Sequence, residues 1–192
     1  MARTLTTPRG ETFTFDAGAP CLDFAHAGGS GRWAAYEILH EPADLAAWLA
    51  EPPVAARPTR PVTIADLAAA KQLRDAIHEA AWAIAGGGRP AARDLAAINR
   101  AARAAPLVPQ IDARTLERSW ALPVEVGQAL SSLARDTIDL FSGPDACRIR
   151  QCASDDCSLV FVDTSRPGSR RWCSMGRCGN RHKLRRFRRR EG

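Results

Sequence analysis

Two cysteine pairs near the C-terminus constrain this chain more than any other feature. Cys152 and Cys157 bracket the tetrapeptide ASDD, Cys173 and Cys178 bracket SMGR, and fifteen residues lie between the pairs. Gaps of about two to four residues let one short turn present two sulfurs to one point, and two such turns can close tetrahedrally on a single zinc ion. Unligated thiols and disulfides are the alternatives. No window approaches the roughly 18 apolar residues of a membrane-spanning helix, and MARTLTTPRGETFTF lacks the apolar stretch of a signal peptide. The expected location is therefore the cytoplasm, where disulfides are disfavoured. Zinc is the better reading of the four cysteines, with His182 a weaker candidate to replace one of them.

The residues around the pairs read as a small module. SLVFVDTS has the make-up of a strand, RPGS supplies a turn, RRW returns the chain to the second pair, and the second pair opens a helix. In that helix, Asn180, Leu184 and Phe187 share a narrow stripe, and Leu184 and Phe187 are expected to pack on the strand. A unit of this size cannot stabilise itself by core burial alone, so metal binding is expected to supply folding free energy.

Charge is segregated along the chain. Residues 1–147 carry 14 Lys and Arg against 17 Asp and Glu, net −3, whereas residues 148–192 carry 13 against 4, net +9. The basicity thus sits on the cysteine module, and an acidic polymer is its natural partner. Arg170, Arg171, Arg177, Arg181, His182, Lys183, Arg185, Arg186, Arg188, Arg189 and Arg190 are the candidate nucleic-acid contacts. Most would touch phosphates, which position without specifying sequence; Arg181, His182 and Arg185 are better placed for base edges.

The upstream part reads as mainly helical. ETFTFD alternates like a strand, and PCLDFAHAGG runs from apolar residues into a glycine turn. PADLAAWLAE has Pro42 at a helix start. TIADLAAAKQLRDAIHEAAWAIAGGG has Thr63 and Asp66 as a capping box and an apolar stripe through Leu67, Leu73, Ile77 and Ile84. A further helix is expected between Pro90 and Pro106, a hairpin between Leu107 and Leu122, and a long helix ending at Gly143. Turn residues and the charge shift place a boundary in GPDACRIRQC. The expected architecture is α+β, with a predominantly helical N-terminal domain over residues 1–146 bearing a small antiparallel β element. A four-cysteine zinc finger, made of a β-hairpin and a helix, follows over residues 147–192.

The segment CASDDCSLVFVDTSRPGSRRWCSMGRCGNRHKLRRFRRR closely resembles the CGNR zinc finger of bacterial proteins, named for the tetrapeptide Cys178-Gly179-Asn180-Arg181; FVDTSR and RRWCSM fit the same pattern. Upstream, CLDFAHA followed by a helical region resembles the ABATE-type domain that usually precedes this finger, although the family usually has Asn where this chain has His26. The resemblance implies a stress-response transcription regulator.

The reading that follows is a DNA-binding transcription regulator, not an enzyme. Its finger is built on structural zinc, and its N-terminal domain senses a small molecule or assembles a homodimer. An RNA-binding module is the alternative, with a metal-dependent nuclease or a redox sensor further behind. Asp163 and Ser165 read as loop-fixing residues rather than acid and nucleophile, and Cys21 and Asp23 as a buried thiol and a turn-capping carboxylate.

Overall fold

The computed structural model describes residues 2–7, 10–29 and 31–191, with side chains described for all of these except 31–33, 185, 186 and 188–191. Its centre is helix α3 (Ile64–Ala85). Thr63 starts it: the Thr63 hydroxyl accepts from the Asp66 amide, and the Asp66 carboxylate accepts from the Thr63 amide at 2.9 Å. Two of the orphan donors of the first turn are thereby satisfied. Its buried residues, including Leu67, Ala70, Leu73, Ile77, Ala80 and Ala81, cover more than one face. The alanines let several elements approach the helix axis closely.

Those elements arrive in chain order. Strands β1 (Arg3–Thr6) and β2 (Thr12–Phe15) form an antiparallel hairpin with Arg3 opposite Phe15. Helix α1 (Pro20–Ala25) is buried from Cys21 to Ala25, and the Cys21 amide donates to Asp136 Oδ2 at 2.8 Å. From sequence, this segment reads only as apolar residues leading into a glycine turn. Its six residues are too few to show a helical period, and packing against α3 and the later helix α5 decides the outcome. Helices α2 (Pro42–Ala50) and α4 (Ala92–Ala101) flank α3, followed by the hairpin of β3 (Pro109–Ile111) and β4 (Arg118–Trp120). Helix α5 (Val126–Ser142) closes the bundle against α1, α3 and α4. Arg74, 1% exposed on α3, is neutralised by Glu37 at 2.7 Å and Asp75 at 2.8 Å, as a buried charge must be.

The chain then forms β5 (Ile149–Gln151) and β6 (Val160–Val162), antiparallel with Ile149 opposite Val162, and ends in helix α6 (Asn180–Glu191). β6 pairs with β5 on its N-terminal side, which supplies the hairpin of the finger, and RRW returns the chain to the second cysteine pair with no strand conformation at residues 171–172.

Ile149, Val160, Phe161 and Val162 belong to the same hydrophobic core as α1 and α3. Hydrogen bonds reinforce that contact. The Val162 amide donates to Ala17 O at 2.8 Å, and Gln151 Nε2 donates to Trp82 O at 2.9 Å, near the end of α3. Burial, followed by the neighbouring His78, pushes the His26 imidazole down to about 3. It is therefore neutral, and its Nε2 lies 2.8 Å from Val160 O.

This arrangement corrects one expectation. Leu184 and Phe187 do not pack on the strand; they are 58% and 59% exposed. The apolar side chains of β6 are already spent on α1 and α3, so α6 has no strand face to cover.

Gly18 marks how close the contact is. Its φ of +82° is left-handed, and a Cβ built there would lie 3.1 Å from both Val162 Cβ and Val162 O. Gly18→Ala is expected to cost about 2 kcal/mol or more, from left-handed strain plus overpacking. The urea midpoint of the full chain checks this, and an unchanged midpoint would show that the contact has slack.

Candidate metal centre and nucleic-acid interface

The two knuckles are built by different local devices. Cys152 follows β5, its amide donating to Leu159 O at 2.9 Å, and a turn closed by the Cys157 amide on Ser154 O at 3.0 Å brings Cys157 round. Cys173 precedes, and Cys178 lies within, a wide π-type turn over Met175–Gly179 that runs directly into α6. The knuckles are tied together by the Ala153 amide on Arg171 O at 2.8 Å and by the Cys173 amide on Cys152 Sγ at 3.4 Å.

The four sulfurs of Cys152, Cys157, Cys173 and Cys178 all lie within 4.8 Å of one another, and the 157–173 and 173–178 separations are 3.8 and 3.5 Å. A tetrahedral zinc tetrathiolate, with Zn–S bonds of about 2.3 Å, places its sulfurs about 3.8 Å apart. The donor set and its spacing therefore fit structural zinc. Bound zinc supplies folding free energy and, with four thiolates around it, keeps no open position for catalysis. His182 is not part of the cluster; its ring packs at a tilt against Trp172 with ring centres 4.7 Å apart.

Hydrogen bonds among the thiols split their acidities. Contacts with Cys152, Cys157 and Cys173, and one with Arg181, hold the Cys178 thiol far below the usual range, while Cys152, Cys157 and Cys178 push Cys173 up. One proton-sharing cluster is what a divalent cation replaces. Two arginines already lean on it: Arg181 Nη2 is 3.3 Å from Cys178 Sγ and Arg177 Nη1 is 3.9 Å from Cys157 Sγ.

The candidate contacts therefore separate into distinct groups. Arg170 is anchored in the protein: Nη2 donates to Asp16 O at 2.9 Å and Cys173 O at 2.6 Å, Nε donates to Trp172 O at 3.1 Å, and the guanidinium lies 4.0 Å from the Phe161 ring centre. Arg177 stacks over Phe13 at 4.5 Å, and Arg181 pairs with Asp156 at 3.0 Å. Arg171, His182 and Lys183 are exposed. The side chains of Arg185, Arg186, Arg188, Arg189 and Arg190 lie outside the described residues.

Asp163 and Ser165 fix the loop after β6. The Asp163 carboxylate accepts from Ser165 Oγ at 2.6 Å, the Ser165 amide at 2.9 Å and the Arg170 amide at 2.8 Å, which holds it below the usual carboxylate range. Sequence reasoning missed Arg148, which grips the same loop through Asp163 O and Ser165 O, both at 2.6 Å. It also missed exposed Arg166. The charge shift beginning at residue 148 was the available signal for both.

Fold and site together define a helical protein that carries a four-cysteine zinc finger ahead of a basic helix. The family model ABATE, described as "Putative stress-induced transcription regulator", matches residues 18–144, and that of the CGNR zinc finger matches residues 148–191. The chain belongs to the ABATE family and ends in a CGNR zinc finger; neither description is that of an enzyme. No curated protein matches it. Among the described residues no helix is long and apolar enough to cross a membrane.

Proposed function

We propose that this protein is a cytoplasmic, non-enzymatic transcription regulator that binds double-stranded DNA through α6. The observation that carries the reading is the placement of α6. The helix emerges directly from the metal turn, carries Arg and Lys at seven of its twelve positions, and leaves His182, Lys183, Leu184 and Phe187 exposed. A helix held at one end by a rigid metal site and exposed at these described positions can enter a major groove.

Cys152, Cys157, Cys173 and Cys178 are the zinc ligands in this reading. Arg171, Lys183, Arg185, Arg186, Arg188, Arg189 and Arg190 are phosphate contacts, with His182 nearest the base edges. Residues 1–146 form the regulatory unit, which answers to a small molecule, and residues 147–192 form the reader. Leu184 and Phe187 offer a seam for a second copy, and pairing would double the contacts of one short helix.

Selection from a random duplex pool with the zinc-loaded full chain, structured RNA competing, tests the reading. An enriched duplex motif lost on chelation is expected; RNA winning the competition would replace DNA as the partner. Arg171→Ala combined with Lys183→Ala is expected to weaken duplex binding more than about tenfold on every sequence. It should also lower the log–log salt slope by about 2, because two phosphate contacts no longer release counterions. An unaltered slope would take both residues off the interface.

A further inference from the structure

Between the N-terminal hairpin and the first zinc knuckle lies a cavity of about 120 Å³. Leu5, Phe13, Ile38 and Leu159 give it apolar walls, and Cys157 and Arg177 close it on the finger side. An engineered apolar cavity of about 150 Å³ takes up benzene, so this one accommodates a single small ring, or most of one, with any substituent at the mouth.

Its charged groups lie on the finger side, where Arg177 leans on the Cys157 sulfur at 3.9 Å. Among the described lining residues none is acidic, and Arg177 is the permanent charge. The Arg177 guanidinium lies against the Phe13 ring, and its Nε is buried without a hydrogen-bond partner. The guanidinium's partners here are Tyr36 and a long contact to the Cys157 sulfur, and an anionic oxygen delivered by a ligand gives the cation a charge-assisted hydrogen bond that neither supplies. His26, neutral in this setting, and Tyr36 add further polar edges to the wall.

We propose that this cavity is the effector site, and that its ligand is a small monocyclic carboxylate whose ring lies among the apolar walls and whose anionic group is held by Arg177. The inference rests on the regulatory reading above and deepens it by naming the site and the chemistry. It also specifies the coupling. The walls come from both sides of residue 147, so the ligand binds only when the finger is folded against the N-terminal hairpin. Anything that binds one state and not the other shifts the balance between them. Ligand binding and zinc retention must then support each other.

Calorimetric titration of the zinc-loaded full chain with benzoate and with benzyl alcohol tests the site. Benzoate is expected to bind saturably. Benzyl alcohol should bind at least about tenfold more weakly, the loss of one charge-assisted hydrogen bond. Arg177→Gln, with zinc content unchanged, should abolish that discrimination. Should that variant fail to hold zinc, Ile38→Trp supplies the check, because Ile38 is 48% exposed and the indole would fill the cavity from the N-terminal side; benzoate binding should vanish while zinc stays. Saturating benzoate is expected to slow zinc transfer to a chelator. Absence of benzoate binding, equal binding of the alcohol, or full discrimination in zinc-loaded Arg177→Gln overturns the proposal. These readouts involve no nucleic acid. A chain that binds benzoate but not DNA keeps this site and loses the DNA reading, and the reverse result does the opposite.

Discussion

Removing zinc from the full chain, or replacing Cys173 with Ser, is expected to loosen the helical core as well as the finger. The reason lies in where the ligands sit. Cys152, Cys173 and Cys178 are buried in the cluster that also holds Leu22, Phe24 and Ile77. Structural zinc contributes on the order of 10 kcal/mol to small fingers, which matches the whole stability of an ordinary domain. Without it the four thiols lose the cation that joins the knuckles, and β6 is expected to loosen from α3 and from Ala17 and His26 at the two ends of α1. Hydrogen exchange along α3 is the measurement to make. Protection is expected to fall along the face that meets Ile149, Phe161 and Val162; unchanged protection in the zinc-free chain would show that the two parts fold independently.

Arg170→Ala is expected to lower stability by about 3 kcal/mol or more, the largest effect of any arginine substitution in the finger. Its guanidinium satisfies Asp16 O, Trp172 O and Cys173 O together and covers the Phe161 ring. Truncation leaves several carbonyls short of a donor, at about 1–3 kcal/mol for each one that water cannot reach. Arg170→Lys should rescue little, since an ammonium cannot span that fork or stack on the ring. Urea denaturation of the zinc-loaded chain checks both variants. A normal midpoint in Arg170→Ala with weakened DNA binding would instead make this side chain a phosphate ligand, as the sequence alone had it.

Arg170 and its neighbour Arg171 show where sequence stops being informative. Both stand in the same basic run, and local pattern treats them alike. One turns inward to backbone carbonyls and the other outward to water, a difference set in part by Asp16, 154 residues away. The cysteine spacing, by contrast, was decisive because metal geometry is local. The Thr63–Asp66 box was legible for the same reason, as were helices α2 to α5, whose apolar stripes are long enough to show a period. Short elements were not. The CLDFA segment is helical through tertiary contact alone, and β5 lies in a charged stretch with little strand character.

The run LVFV carries a further signal. A run that is apolar at every position is the mark of a strand buried on both faces, and Val160, Phe161 and Val162 are all buried. That pattern already implied that the strand packs on more than its own module. It also explains why Leu184 and Phe187 are left uncovered.

The placement of β6 gives the chain a schedule. During synthesis the helices that end at Ser142 emerge before residues 149–162, whose apolar side chains complete their core, and zinc bound by the four cysteines is expected to hold those residues in place. Until then the uncovered core is what a chaperone or protease would recognise. The yield of folded chain is thereby expected to follow zinc supply at the moment of translation.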